Sequence, residues 1–154
     1  MYIVVRVCRA GTVPRAPWLS SAWERDGRPG WVFSVSPDGN VTSGARDTYA
    51  HAFALLGLAW YHRLKPDCQI LGIAKKTLAF MDESLASGNG GFYDCIPRTG
   101  TLRHQNPHMH LFEAFLALYQ SCGELQYIMQ AKKIFELFKA SFFGPDHGYL
   151  RVLD

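Results

Sequence analysis

What limits the fold of this 154-residue chain most is that its sequence repeats. Arg46–Ala59 aligns with Gln105–Leu118 at an offset of 59, so that His51-Ala52-Phe53 falls on His110-Leu111-Phe112. Ala74-Lys75-Lys76 falls on Ala131-Lys132-Lys133 at an offset of 57. An aromatic residue after a glycine recurs in the intervening loops at Trp31, Phe92 and Tyr149. A unit of roughly 60 residues, built of an apolar helix, an amphipathic helix and a glycine-aromatic loop, is the mark of a helical-hairpin array. No such hairpin buries its apolar face alone. The nearly all-apolar first helices are therefore expected to form an inner layer, with the amphipathic ones outside. Closed on itself that arrangement is an all-α toroid. About two and a half units are present, too few to close a ring. The expectation is an incomplete toroid of about two helical hairpins joined by short β-hairpin-like loops. Such a chain is a part of a larger array or completes its core with another copy.

The elements follow from periodicity and punctuation. Arg46–Leu64 is expected to be a helix with Asp47 as N-cap, because Tyr49, Ala52, Phe53, Leu56, Ala59 and Trp60 recur at three- and four-residue steps. Leu55 and Leu58 fill its other faces, which predicts burial on most sides. Cys68–Leu85 and Glu124–Phe142 are the amphipathic helices. Between them Asn106-Pro107 resembles a cap followed by proline at the first helical position, so that a helix starts near Pro107 and stops near Cys122-Gly123. Gly30–Val35 alternates like a strand, and Ser36-Pro37-Asp38-Gly39-Asn40 is a turn signal, so a short β-hairpin fits there. Two domains are expected: an irregular segment over residues 1–17, with Tyr2–Val7 strand-like and Gly11, Pro14 and Pro17 as breakers, and a helical domain over 18–154. Trp18–Glu24 reads as the tail of a helix, and Gly144–Tyr149 as a third loop.

Composition excludes more than it assigns. The net charge is +3, with basic residues scattered apart from Lys75-Lys76 and Lys132-Lys133, which argues against a nucleic-acid partner. Tyr2–Val7 is far too short to span a membrane. The four cysteines, Cys8, Cys68, Cys95 and Cys122, have no Cys-x-x-Cys spacing and fit reduced cytoplasmic thiols. No cofactor is implied. His108 and His110 stand two apart on a helix, about 200° around its axis, and His-x-x-x-His spacing is absent, which argues against a metal.

Chemistry gathers instead at the start of the third helix. Arg103, Gln105, Asn106, His108, His110 and Glu113 crowd its first turns, where the helix dipole favours an anion such as Glu113. With the 59-residue offset, His51 is expected at the same mouth, beside Tyr49. A concave, mixed polar and aromatic pocket of that kind suits a small polar ligand such as a sugar. Histidine suits proton transfer near neutrality.

Two stretches resemble signatures of the N-acylglucosamine 2-epimerase superfamily: Arg46-Asp47-Thr48-Tyr49-Ala50-His51-Ala52-Phe53-Ala54-Leu55-Leu56 and Gln105-Asn106-Pro107-His108-Met109-His110-Leu111-Phe112-Glu113-Ala114. Within that superfamily, the stretch beginning at Gln105 is most similar to the mannose isomerase branch. Gly30–Ser34 and Asp38-Gly39 are similar to the same family's loop. The resemblance implies an (α/α)6 barrel, here incomplete, and interconversion of an aldose and a ketose or of C2 epimers. The implied chemistry is metal-independent: a histidine removes the proton beside the carbonyl, and an enediol forms and is reprotonated. On matching positions the resemblance implies catalytic roles for His110 and Glu113, and sugar binding by Tyr49, His51, Arg103, Gln105 and Asn106. Ala50 stands where the family more usually has an Asp. The family's two proton-transferring histidines belong to the half of the barrel beyond the resemblance.

Two readings from different classes follow. One is a sugar isomerase of mannose–fructose type, acting on a free or a phosphorylated sugar. The other is a catalytically inactive helical-repeat module that binds a partner. A toroidal glycosidase would need a second carboxylate across the cleft from Glu113. Any self-association is expected through the open edges of the array, where apolar faces lack a neighbour.

Overall fold

In the structure, a computed structural model, residues 23–98 and 103–141 are described. The expected strand at Tyr2–Val7, the domain boundary at 17/18, Cys8 and the third loop with Tyr149 lie outside them. Two helical hairpins make up the body of the described residues. The first is α1 (Thr48–Leu64) with α2 (Cys68–Phe80, continued by a π-helical turn, Met81–Leu85). The second is α3 (Gln105–Cys122) with α4 (Leu125–Ser141). α1 and α3 pack on each other as the inner pair; α2 covers α1 and α4 covers α3.

Local chemistry explains the helix ends. Asp47 caps α1 by accepting the Ala50 N–H, and Asp67 caps α2 by accepting the Gln69 N–H. Gly123 ends α3 in the left-handed conformation, its N–H closing on the Tyr119 carbonyl, so α4 can turn back at once. The start of α3 differs from expectation. The N-cap is His104, not Asn106, and Pro107 is the third helical residue. Proline is tolerated there because the first four helical N–H groups have no partner within the helix. Asp94 does the capping work from outside: its carboxylate accepts the His104 N–H at 2.9 Å and pairs with the His104 ring.

Leu55, Leu58, Leu111, Phe115 and Leu118 are fully buried between the inner helices, with Tyr127 and Ile134 on α4 and Met81 and Leu85 after α2. Each such side chain contributes roughly 1.5–3 kcal/mol by leaving water. α1 is buried on most sides, as its apolar sequence predicts, with exposure confined to its C-terminal part, where Trp60 is 52% and Leu64 82% exposed.

The loops join the hairpins at one rim. Loop 1 carries the expected β-hairpin, β1 (Ser34–Val35) against β2 (Val41–Ser43), closed by Ser36–Asn40. Trp23 and Glu24 belong to this loop rather than to a helix tail: Trp23 bridges Trp31 across the strand-like start. Next, β3 (Arg46–Asp47) pairs with β4 (Cys95–Ile96) from loop 2, so the second loop reaches back to the first inner helix. The Thr48 N–H and hydroxyl extend that tie to the Asp94 and Tyr93 carbonyls.

The glycine before each loop aromatic is required. Gly30 and Gly91 have φ of +93° and +68°. A methyl on Gly30 would lie 2.7 Å from the Phe80 ring; on Gly91 it would lie 2.5 Å from His108 Nε2 and 2.7 Å from Leu137 Cδ2. Gly91→Ala is therefore expected to destabilise the chain by about 2 kcal/mol or more, from backbone strain plus overlap. Gly57, inside α1 with nothing near its missing methyl, should respond oppositely, Gly57→Ala stabilising by about 0.5–1 kcal/mol. Urea midpoints of the two variants check both signs.

Candidate functional site

Two histidines that share α3 do different work. His110 faces α1, and its ring packs on Tyr49 (centroids 5.2 Å apart, edge-on) and Phe53 (4.7 Å). Tyr49 and Phe53 are one helical turn apart and touch each other, so they form a shelf under the imidazole. Glu113 lies one turn along α3, its carboxylate 2.8 Å from His110 Nδ1. A carboxylate there fixes the tautomer that keeps a proton on Nδ1 and leaves Nε2 as the lone-pair nitrogen. No hydrogen bond to His110 Nε2 is found among the described residues. The His110 side chain is 19% exposed and Glu113 52%, so the pair is reachable from solvent. Asn106 is exposed and Gln105 half-buried, both in the first turn of the same helix.

His108, two residues earlier and about 200° around the axis, points the other way and is fully buried. Its Nδ1 hydrogen-bonds the His104 carbonyl at 2.8 Å, and its Nε2 accepts the Phe92 N–H at 2.9 Å. On α1 the same arrangement is made by His51, also fully buried. Its Nδ1 meets the Asp47 carbonyl at 2.7 Å, Nε2 accepts the Trp31 N–H at 3.1 Å, and the ring stacks on Phe80. His51 is thus the structural equivalent of His108, not of His110, and the repeat runs at an offset of 57. That offset also pairs Arg46 with Arg103, and Phe80, which meets Gly30, with Leu137, which meets Gly91.

His51 and Arg103, expected among the substrate-binding residues, are placed away from the His110 cluster. Both nitrogens of His51 are committed, and it lies on the side of α1 opposite Tyr49 and Phe53. Arg103 is buried and donates to the Gly90 carbonyl, holding loop 2. Arg46 does the same for loop 1 in fuller form. Its buried guanidinium donates to the Pro29, Arg28 and Gly44 carbonyls and to both oxygens of Asp26. Arg46 and Arg28 hold the Asp26 carboxyl well below the usual range. A buried guanidinium is tolerable only when its donors are satisfied in this way.

Burial also sets the state of the two loop histidines. It lowers His51 to about 4, with Arg46 adding in the same direction. It lowers His108 likewise, with Arg103 adding to the effect. Asp47 is raised by burial, opposed by the Ala50 N–H.

Two groups at the mouth carried no weight in the sequence. Phe53 occupies the position that His110 holds in the second unit, and the 57-residue offset would have shown it. Asp94 had no signal in the sequence beyond its place after Gly91-Phe92-Tyr93. A cavity of about 470 Å³ lies beside loop 1, walled by Trp23, Arg28, Arg46, Lys76, Phe80 and Ile96, and takes no wall from His110 or Glu113. No group of three or more metal-ligating side chains occurs among the described residues. None of the described helices is long and apolar enough to cross a membrane. Cys68, Cys95 and Cys122 form no disulfide with one another.

Comparison with known proteins gives the family and the fold. The family model of N-acylglucosamine 2-epimerase (GlcNAc 2-epimerase) matches residues 16–151. A mannose-6-phosphate isomerase of Rhizobium meliloti (strain 1021) is 30% identical over 131 residues, which cover 81% of this chain and 34% of that protein. Among solved structures, cellobiose 2-epimerase from Spirochaeta thermophila DSM 6192 superposes with a TM-score of 0.76 at 23% identity, over 88% of this chain and 37% of that one. A D-mannose isomerase superposes with a TM-score of 0.64 at 18% identity, over 71% of this chain and 29% of that one. The chain therefore spans about a third of the length of the curated relative it matches. The likeness to the solved structures shows the fold, an incomplete (α/α)6 toroid.

The division between loop-holding and mouth-facing histidines predicts unequal costs. His51→Ala leaves the Trp31 N–H without its partner and opens a buried cavity, so it should cost about 2–4 kcal/mol. His110→Ala removes a partly exposed ring and should cost about 1 kcal/mol or less. Thermal or urea unfolding of the two variants measures the difference.

Proposed function

The chain belongs to the N-acylglucosamine 2-epimerase family, and on that premise we propose that it serves aldose–ketose isomerisation of mannose–fructose type, with His110 as its acid–base group. The observation that carries this reading is the Glu113–His110 pair resting on the Tyr49–Phe53 shelf at the mouth of the inner helices. An apolar shelf and a ring of amide and hydroxyl groups is what a monosaccharide needs: C–H faces pack on aromatics, and hydroxyls find donors and acceptors.

In the proposed sequence His110 stands in for the family's two proton-transferring histidines, which lie beyond the resemblance: its Nε2 takes the C2 proton of the open-chain aldose while solvent water gives a proton to O1, giving the enediol. The proton then returns from Nε2 to C1 as solvent water takes the O2 proton, and the carbonyl now stands at C2. Glu113 orients the imidazole and stabilises its protonated form. The Tyr49 hydroxyl and the Gln105 and Asn106 amides bind sugar hydroxyls. His51 and Arg103 contribute from behind, by holding the loops. The helical-repeat binding module remains the alternative, favoured by one observation: His51 is packed away and does not converge on the mouth with His110.

A mannose-to-fructose conversion assay on the purified chain tests the proposal. Turnover that falls by about 100-fold or more in His110→Ala, and about 10-fold in Glu113→Gln with KM little changed, is the expected result. Turnover unaffected by His110→Ala would overturn the assignment. A folded chain that binds mannose without converting it would leave only the binding module.

A further inference from the structure

The two loop histidines are held by the same pair of bonds, and that pair leaves one protonation state workable. Each ring gives its Nδ1–H to the carbonyl four residues back, so the loop amide can be held only through the Nε2 lone pair. A doubly protonated ring would set an N–H against the Trp31 or Phe92 N–H, two donors about 3 Å apart with no acceptor between them.

We propose that His51 and His108 make the loop rim of this chain acid-releasable: a proton on Nε2 of either ring removes the acceptor that holds Trp31 or Phe92, and the loop opens far more readily while the helices stay folded. The surroundings favour this response. Facing His51 are the Arg46 guanidinium from β3, which repels a second positive charge, the uncharged Phe80 ring from α2, and Trp31 from loop 1, itself tied to Thr77. The Asp47 carboxylate is turned to the Ala50 N–H, and only its main-chain carbonyl meets the imidazole. Facing His108 are Arg103, which opposes the charge, Asp94, which favours it, and His104. Loop 2 adds the Phe92 amide and ring, and from α4 Leu137 closes over the adjacent Gly91. The arginine bonds and the β3–β4 pairing do not run through either imidazole, so a proton on Nε2 does not break them.

The sign follows from the direction of the shifts. The latched ring is held neutral, His51 down to about 4, whereas a released histidine titrates at its ordinary value near 6.5. The latch is at full strength above that value and weakens as the pH falls toward 4. Between pH 7 and pH 5 the released state gains about 25-fold at a latch shifted this far. The latches operate whether or not a sugar turns over at His110.

Amide hydrogen exchange on the full chain, followed by NMR at pH 7 and pH 5 and corrected for intrinsic rates, tests this. Protection of the Trp31 amide should fall about 20-fold and that of the Phe92 amide should fall in the same direction, while Leu55 and Phe115 in the inner helices keep theirs. Loop protection unchanged within threefold, or helix amides losing protection in step with the loops, would overturn the proposal. His51→Gln and His108→Gln keep an acceptor near Nε2 and cannot titrate, so the loop each one holds should become insensitive to pH. A pH response that persists at that loop would place its origin elsewhere and also overturn the proposal. If a glutamine variant does not fold, the pH series on the unaltered chain decides alone.

Discussion

Each inner helix holds its loop through a buried, neutral imidazole, and the placement of everything at the rim depends on that bond. A loop amide buried against a helix needs an acceptor, and the helix carbonyls are already used by the helix itself. Histidine solves this with one side chain: Nδ1–H fastens the ring to its own helix, and Nε2 presents the missing acceptor. The glycine before each loop aromatic lets the backbone come close enough, and a buried arginine collects the carbonyls on the other side. With the loop in place, loop 2 can hold the start of α3 through Asp94 and so set the direction in which Asn106 and His110 leave the helix.

The repeat and the chemistry are separable. The residues that recur are those of the scaffold: arginine and histidine at the 57-residue offset, and the glycine and loop aromatic, Gly30-Trp31 and Gly91-Phe92, at 61. The residues that differ are those of the mouth. Tyr49, Phe53 and Leu56 of the first unit become Asn106, His110 and Glu113 in the second. A shared frame thus carries an apolar shelf on one helix and a polar, titratable set on the next, and the packing of α1 on α3 sets His110 against Tyr49 and Phe53.

Much of the frame was legible in the sequence. The four helices follow from three- and four-residue spacing, the α1 cap from Asp47, and the β-hairpin from its Ser36–Asn40 turn. The assignment of polar residues to the mouth was less so. Matching His51-Ala52-Phe53 to His110-Leu111-Phe112 rests on local likeness, and it set a buried anchor beside a mouth-facing ring. The lysine pairs already gave 57, and that single offset also brings Arg46 onto Arg103. Periodicity counts residues but does not know which histidine will meet a loop amide, because that partner arrives from 16 to 20 residues away. The helix start at His104 was hidden for the same reason: Asp94, which holds His104, comes from another element.

The two rims of the array are unequally joined. At the loop rim, main-chain pairing of β3 with β4 and the Thr48 bonds to Tyr93 and Asp94 tie one hairpin to the next. At the other rim lie the C-terminal end of α1 and the first turn of α4, where the buried His62 Nδ1 and Tyr127 hydroxyl have no hydrogen-bond partner among the described residues. Directional bonds resist shear and separation; side-chain packing resists separation alone. Main-chain pairing thus joins the hairpins at the loop rim, whereas away from it side chains do the joining, as in the ion pair at 2.8 Å between Lys75 of α2 and Glu124 in the turn between α3 and α4.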